Sequence, residues 1–319
     1  MSPRAGNTRN VTKAEYLRLR STLDFSPSRA WAVSTLVVHL ATVALGAWLA
    51  TTGAMWGGVA VLGFASFQAF AIVHECGHGA FASSRAVTVI VGHLTSVLAL
   101  TPYYPWKYIH TQHHVWAGHL HNDPAVVTLA RWRLSNRVPW VARVAWRAWI
   151  PVIALSQLVI FASYPLRMLR EGRLGRGKAW RSAVSVLVCF APHVLFLVLV
   201  DARVQWLVFF AIYLFITELV NVPHHVDRPM FDRKLAVWEQ AQIARSCVYP
   251  TWLAWLMTFQ FNLHAEHHVF PTLPWYRLPS ARSGVKAAAG SDYTESTGLR
   301  WLFANRTRSL SRVALPDTE

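Results

Sequence analysis

A chain of 319 residues that is 54% hydrophobic and only 14% charged is too apolar for a pair of ordinary soluble domains, and its 16 tryptophans and nine tyrosines suit the interfacial belts of a membrane protein. Thirty-one basic residues against 15 acidic ones leave a formal net charge of +16. Because the basic residues sit in loops and tails, they read as a positive-inside signal and an attraction to anionic lipid rather than as nucleic-acid binding, and an acidic redox partner is also compatible with them.

In chain order, the opening "MSPRAGNTRNVTKAEYLRLR" stays polar and basic for too long to begin a cleavable signal peptide, so residues 1–29 are expected to form a cytosolic arm. No charged residue occurs between Arg29 and Glu75, which is enough for two spans of ~20 residues, placed at 30–51 and 56–74 with "TTGAM" as the turn. Further uncharged stretches lie at 86–106, 148–166, 182–200, 204–217 and 246–265, so hydropathy alone counts seven spans. Cys76, Cys189 and Cys247 are far apart and form no C-x-x-C pair, which gives neither a disulfide framework nor an iron–sulfur set.

The histidines make seven too many. Ten of the fifteen fall into four short groups: "HECGH" (His74, His78), "HTQHH" (His110, His113, His114), "NVPHH" (His224, His225) and "HAEHH" (His264, His267, His268). If they form one site, an even number of crossings separates each neighbouring group. The stretch 86–106, ending in "TPYYP", is then interfacial or re-entrant. The stretch 148–166, flanked by basic residues, returns to the face it left, and 246–265 stays at the interface. Four transmembrane helices remain, at 30–51, 56–74, 182–200 and 204–220, with both ends cytosolic and a cytosolic cap holding the histidines. The fold class is therefore an all-α membrane protein with interfacial helices. From residue 281 to 319 the chain turns polar and Ser/Arg-rich, and this tail is expected to be a loosely ordered extension.

On a helix, spacings of i, i+3 and i+4 put imidazoles on one face a turn apart, where they can share a metal. "HECGH" also spells the H-E-x-x-H of zinc proteases, with Glu75 as general base. Zinc is satisfied by three or four protein ligands, which would leave six or seven clustered histidines unexplained. Two iron ions with open positions need about this many nitrogen donors, and imidazole suits iron.

The set of boxes, together with "TPYYPWKYIHTQHHVWAGHLHNDP" and "NLHAEHHVFPTLPWYRLP", resembles the membrane fatty acid desaturase family over roughly residues 30–280. The resemblance implies a di-iron centre with His74, His78, His110, His113, His114, His264, His267 and His268 as ligands. It adds His225, with His224 as the alternative, and Asn221 reaching iron through water. It also implies O2 as co-substrate and a fatty acyl or other lipid substrate.

Around the boxes, Glu75, Glu266, Asp123 and Asp227 are candidates for orienting the imidazoles, with capping or solvated carboxylates as the plain alternative. His119 and His121 read as loop residues, His39, His93 and His193 as helix–helix hydrogen-bonding groups, and Trp106 and Trp116 as residues of a substrate channel. No haem motif accompanies the boxes, so electrons are expected from a separate ferredoxin or cytochrome-b5-type donor. The expected reaction is desaturation. Hydroxylation or ketone formation on a lipid or isoprenoid at the same centre, a zinc metalloprotease, and a metal transporter or sensor are the rival readings.

Overall fold

Among the described residues, four helices are long and apolar enough to cross a membrane: Arg29–Thr51, Met55–His78, Arg176–Leu199 and Arg203–His225. The structure is a computed structural model that describes residues 11–135, 137–172, 175–310 and 313. In chain order the helices are α1 (Lys13–Thr22), α2 (Arg29–Thr51), α3 (Met55–His78), α4 (Arg85–Leu98), α5 (Tyr103–Trp116), α6 (Val127–Ser135), α7 (Trp140–Arg147), α8 (Val152–Arg170), α9 (Arg176–Leu199) and α10 (Arg203–His225). After them come β1 (Arg245–Cys247), α11 (Thr251–Leu253), α12 (His264–Val269), α13 (Leu278–Ala289), β2 (Thr294–Ser296) and α14 (Gly298–Arg306).

The long helices turn apolar side chains outward, which a protein surrounded by water would bury. Val33, Val37 and Leu40 of α2 and Leu187, Val194 and Val198 of α9 are exposed. α2 and α3 form a hairpin through Thr52–Ala54, with Gly53 at φ +95°. They approach closely because Gly58 sets its Cα against the backbone of Gly46 and Ala50, where any side chain would overlap main-chain atoms. All four helices outrun the spans expected from uncharged sequence. α9 starts earlier because Arg176, Lys178 and Arg181 are compatible with a helix end at the interface, and α3 and α10 run on through His78 and His225.

The stretch 86–106 becomes two helices, α4 and α5, bent by 103°. Ala99–Pro102 makes the corner, with Leu100 at φ +49°. The corner is tied from outside: Tyr213 donates to Ala99 O at 2.5 Å, and Tyr103 donates to Cys76 O at 3.0 Å. In α8 only Val152–Tyr164 is apolar, which is short of a span. The stretch 246–265 breaks into β1, α11 and a π-helical turn at Ala254–Thr258. Two further apolar stretches thus lie outside the four span-length helices.

The ends of the chain are built in more firmly than their polar composition predicts. α1 opens on a capping box between Thr12 and Glu15, and Tyr16 stacks on Phe270 at 5.3 Å. The expected loose tail is corrected over residues 281–310: α13 buries Ala281, Val285 and Ala288 against the segment carrying α12, and β2 pairs in parallel with β1. Small apolar residues at helical spacing are masked there by the surrounding Ser and Arg. Residues 1–10, 311–312 and 314–319 of the expected arm and tail lie outside the described residues.

In α14, Trp301 and Leu302 are buried, and the Arg306 guanidinium lies 3.8 Å above the Trp146 ring. Its Nη2 donates to Glu218 Oε1 of α10 at 2.8 Å, and both side chains are buried. Removing one member leaves a buried uncompensated charge, a cost of about 3–5 kcal/mol, whereas an apolar pair of similar volume is tolerated. Arg306→Met should therefore lower the thermal midpoint in detergent, and Arg306→Met/Glu218→Met should recover part of that loss. An Arg306→Met midpoint equal to that of the wild type would refute a stabilising role for the pair.

Candidate metal centre

Four segments bring their histidines to one end of the helix bundle. The last turn of α3 presents His74 and His78, then stops at Gly79, which takes the left-handed φ of +72°. α5 presents His110, His113 and His114, and the end of α10 presents His225. The six-residue α12 presents His264, His267 and His268. Just before α12, Asn262 is fixed by donating to Cys247 O at 2.7 Å and accepting from the Thr258 hydroxyl at 2.8 Å.

The nine rings form two groups. One nitrogen of each of His74, His78, His110 and His267 lies within 4.8 Å of the others. His114 joins them, its Nε2 3.1 Å from that of His110 and 3.0 Å from that of His267. The second group is His113, His225 and His268 within the same limit, joined by His264, whose Nε2 is 2.9 Å from that of His225.

On three rings of the second group, His113, His225 and His268, the far side fixes the tautomer. His113 Nδ1 lies 2.8 Å from Asp123 Oδ1, His225 Nδ1 3.2 Å from Ile243 O, and His268 Nδ1 3.2 Å from Gln240 Oε1. Gln240 is itself oriented by donating from Nε2 to His114 O at 2.9 Å. Each of these oxygens accepts, so each neutral ring carries its proton on Nδ1 and turns a bare lone pair inward. His268 Nε2 is 3.3 Å from the Nε2 of both His113 and His225, and between neutral rings in these tautomers no proton lies between them. Convergent lone pairs repel unless a cation lies among them, so this donor set fits a metal ion. Burial pushes His264, His267 and His268 well below the usual histidine range, which keeps those rings neutral and able to bind metal.

Beside the rings lies a narrow cavity of about 90 Å³, lined by His74, His110, His113, His225 and His264 and walled by Phe70, Trp106, Val126, Trp132, Ile153 and Phe161. Trp106 stacks on His110 at 4.5 Å, and Phe261 meets the edge of His74 at 4.8 Å. Gly77 makes room for this, since a β-carbon there would overlap the Trp106 ring.

The chain matches the fatty acid desaturase family over residues 50–297, more than three-quarters of its length. It belongs to that family. It is 23% identical to a chloroplastic omega-6 fatty acid desaturase of Spinacia oleracea, over 88% of this chain and 64% of that protein. It is 25% identical to an sn-1 oleoyl-lipid 12-desaturase of Picosynechococcus, over 93% of this chain and 90% of that one. It is 24% identical to an sn-1 acyl-lipid omega-3 desaturase (ferredoxin) of Synechocystis, over 73% of this chain and 67% of that one. The chain thus spans a little less than two-thirds of the spinach protein.

Within this desaturase-family fold, the neighbours proposed for the histidines divide. Asp123 binds the His113 ring and also accepts from Gly118 N at 2.9 Å. Glu75 accepts from Trp275 N at 3.1 Å and sits 3.5 Å from His74 on its Nδ1 side, so as a protease base it is both occupied and misplaced. Glu266 holds Tyr293, at 2.7 Å, and Ser246, while Asp227 faces Arg245 at 3.8 Å; neither binds an imidazole. His225 enters the second group, whereas His224 stacks flat on His264 at 4.2 Å with both nitrogens buried and unpartnered. Asn221 lines the cavity one turn before His225.

Trp106 lines the cavity, but Trp116 packs on the loop residue His119 under Lys234 instead. His119 bonds within its own turn, to His121 N at 3.1 Å, and His121 pairs loosely with Asp232 at 3.6 Å. His193 bridges helices through Val97 O at 2.8 Å and the Trp206 indole at 3.1 Å, and His93 reaches Ser185 at 3.3 Å. His39 is buried among the helices, away from the cluster. Gln240 and the Ile243 carbonyl had no signal in the sequence, because the 3-10 turn Val237–Ile243 reaches the rings only through the fold.

Asp123→Ala removes the acceptor that orients His113 and should weaken metal binding by about 10- to 100-fold, with helix content unchanged by circular dichroism. Unaltered metal affinity would show that Asp123 holds only its own loop. The lowered values at His264, His267 and His268 also set a pH dependence. Unfolded histidines take up protons near pH 6.5 and the folded rings refuse them, so stability is full above about pH 6.5 and declines below it. Chelator-treated protein should therefore show a falling thermal midpoint between about pH 6.5 and pH 5; a flat profile would contradict this.

Proposed function

We propose that this chain desaturates the acyl chain of a lipid at two iron ions, using O2 and electrons from a separate donor. The observation that carries the reading is the pair of converging histidine nitrogen groups, one of which has His113, His225 and His268 held with their lone pairs inward. His74, His78, His110, His114 and His267 would hold one ion. His113, His225, His264 and His268 would hold the other, with Asn221 contributing through water. All-imidazole donor sets of five and four suit iron, and the set of five exceeds the three or four protein ligands that zinc takes.

Bound iron supplies oxidation of an unactivated acyl C–H pair, with O2 reduced to water by two electrons from the acyl chain and two from the donor. The protein's own task is placement. Asp123, Gln240 and Ile243 hold rings in one tautomer, while Phe70, Trp106 and Phe161 give the adjoining cavity a dry wall where a chain segment is held beside the rings. The names of the sn-1 acyl-lipid desaturases among the relatives support a lipid-borne acyl substrate and a double bond as the product.

The ferredoxin in one relative's name supports a small soluble donor, with a cytochrome-b5-type protein as the alternative. His78, His110 and His114 are the half-buried members of the five-ring group, and Lys107, Arg85, Lys178 and Arg181 lie on that side through α4, α5 and α9. Such a surface steers an acidic partner. The turns at the far end of the bundle, Thr52–Ala54 and Val200–Ala202, carry no basic residue, which supports a multi-pass topology with the histidine end cytosolic.

Purified protein should contain about two irons and little zinc per chain. A host supplying reductase and ferredoxin should accumulate lipids lighter by two hydrogens. His264→Ala/His267→Ala should abolish both the iron and the product. One zinc per chain, with activity surviving that double change, would overturn the reading; lipids that gain oxygen would replace desaturation with hydroxylation.

A further inference from the structure

Trp132 faces two spaces at once. On one side it lines the cavity beside His113 and His225, and on the other it lines an open groove of about 710 Å³ shared with Arg131, Ser135, Arg137 and Arg143. α6 joins the two spaces, since Thr128 in its first turn faces the cavity and Arg131, Trp132 and Ser135 in the following turns face the groove. The three arginines are exposed, and none makes an ion pair with a carboxylate among the described residues. Beyond the groove, α7 turns Trp140, Val141 and Val144 outward beside Arg143 and Arg147. An apolar face rimmed by arginine is the pattern of a helix lying in a membrane surface.

We propose that this groove binds the anionic phosphate headgroup of the membrane lipid whose acyl chain passes Trp132 into the histidine cavity; this rests on the acyl-lipid reading above. Guanidinium forks match phosphate oxygens two at a time, and three unpaired ones around a groove at the lipid surface are complementary to a negative headgroup. The cavity alone is far below the ~300–1,000 Å³ of ordinary ligand pockets. A bound chain must therefore extend out of it, and the groove across Trp132 offers that continuation. α6 then sets the distance from headgroup to rings, and with it which carbons lie beside them.

The test uses the full-length protein in detergent. It is offered phosphatidylglycerol, phosphatidylcholine with the same chains, or oleoyl-CoA; native mass spectrometry counts retained ligand, and iron is measured in the same samples. Wild-type protein should retain phosphatidylglycerol at least about tenfold over phosphatidylcholine and in preference to oleoyl-CoA. Arg131→Gln/Arg137→Gln/Arg143→Gln should lose that preference, and the matching triple Lys variant should keep most of it. Arg85→Gln/Lys178→Gln/Arg181→Gln, on the other basic surface, should leave it intact.

Equal retention of the two phospholipids by the wild type would overturn the proposal, whether or not the Gln variant folds. So would preference for oleoyl-CoA, or equal loss in the Arg85/Lys178/Arg181 variant. Iron at about two per chain without a lipid preference removes only the headgroup site. Lipid preference without iron leaves the groove standing and removes the di-iron reading.

Discussion

Nine imidazoles gathered at one end of the bundle, in groups of five and four, are the arrangement on which the rest of this structure depends. Each ring leaves water on entering the cap, and a nitrogen with no partner in an apolar interior is costly. The cost is met from both sides. Outside, Asp123, Gln240 and the Ile243 carbonyl accept the ring protons; inside, the lone pairs are left to a cation. Neither side works alone. Without the outer acceptors the tautomers scramble, and without a cation the inner nitrogens repel.

Holding the rings imposes a topological demand, because the contributing segments lie as far apart as His74 and His268. Every connection between them has to return to the same end of the bundle. The α4–α5 corner meets this demand where the sequence supplies only one apolar stretch. Its 103° bend is held by Tyr213 and Tyr103, hydrogen-bonded to main-chain oxygens at Ala99 and Cys76. Tyr103 grips the very turn that carries His74 and His78. α3 and α10 answer the same demand by running past the length a membrane needs, so that their last turns stand in the cap.

The histidine boxes were legible because the signal is local: ring spacings of three and four residues have meaning on any helix. The number of crossing-length helices followed from the same boxes, once they were required to share a face. What escaped notice depends on contacts between distant segments. Gln240 reaches His268 across 28 residues, and nothing in "VWEQAQI" marks it as a supporter of the site. Glu266 looked like a support because it stands beside ligand-type residues in sequence, yet it points to Tyr293 and Ser246, while Glu75 divides its two oxygens between Trp275 N and the Nδ1 side of His74. Adjacency on a helix says little about direction, since consecutive residues diverge by about 100° around the axis. The ordered ends escaped for another reason: their polar composition hid a few small apolar contacts and the buried ion pair of Arg306 with Glu218.

That ion pair shows how the outer parts of the chain bear on the cavity. α8 faces the cavity with Ile153, Ser156, Gln157, Ile160 and Phe161, the i, i+3, i+4, i+7, i+8 stripe of one helical face. Its first turn is fixed where Glu218 Oε2 accepts from Ala154 N at 2.9 Å. The other oxygen of that carboxylate is held by Arg306, so the placement of this wall depends on α14, beyond the part of the chain that matches the family. Trp301 and Leu302 pack in the same cluster as Val222 and Val226, whose side chains also line the cavity. The rings are set by helices α3, α5, α10 and α12 and their acceptors, whereas the shape of the space beside them is set by α6, α8 and the tail. The two sets meet at α10, where Glu218 holds both Ala154 N and Arg306, so a change at that ion pair reaches the wall and the helix that ends in His225 together.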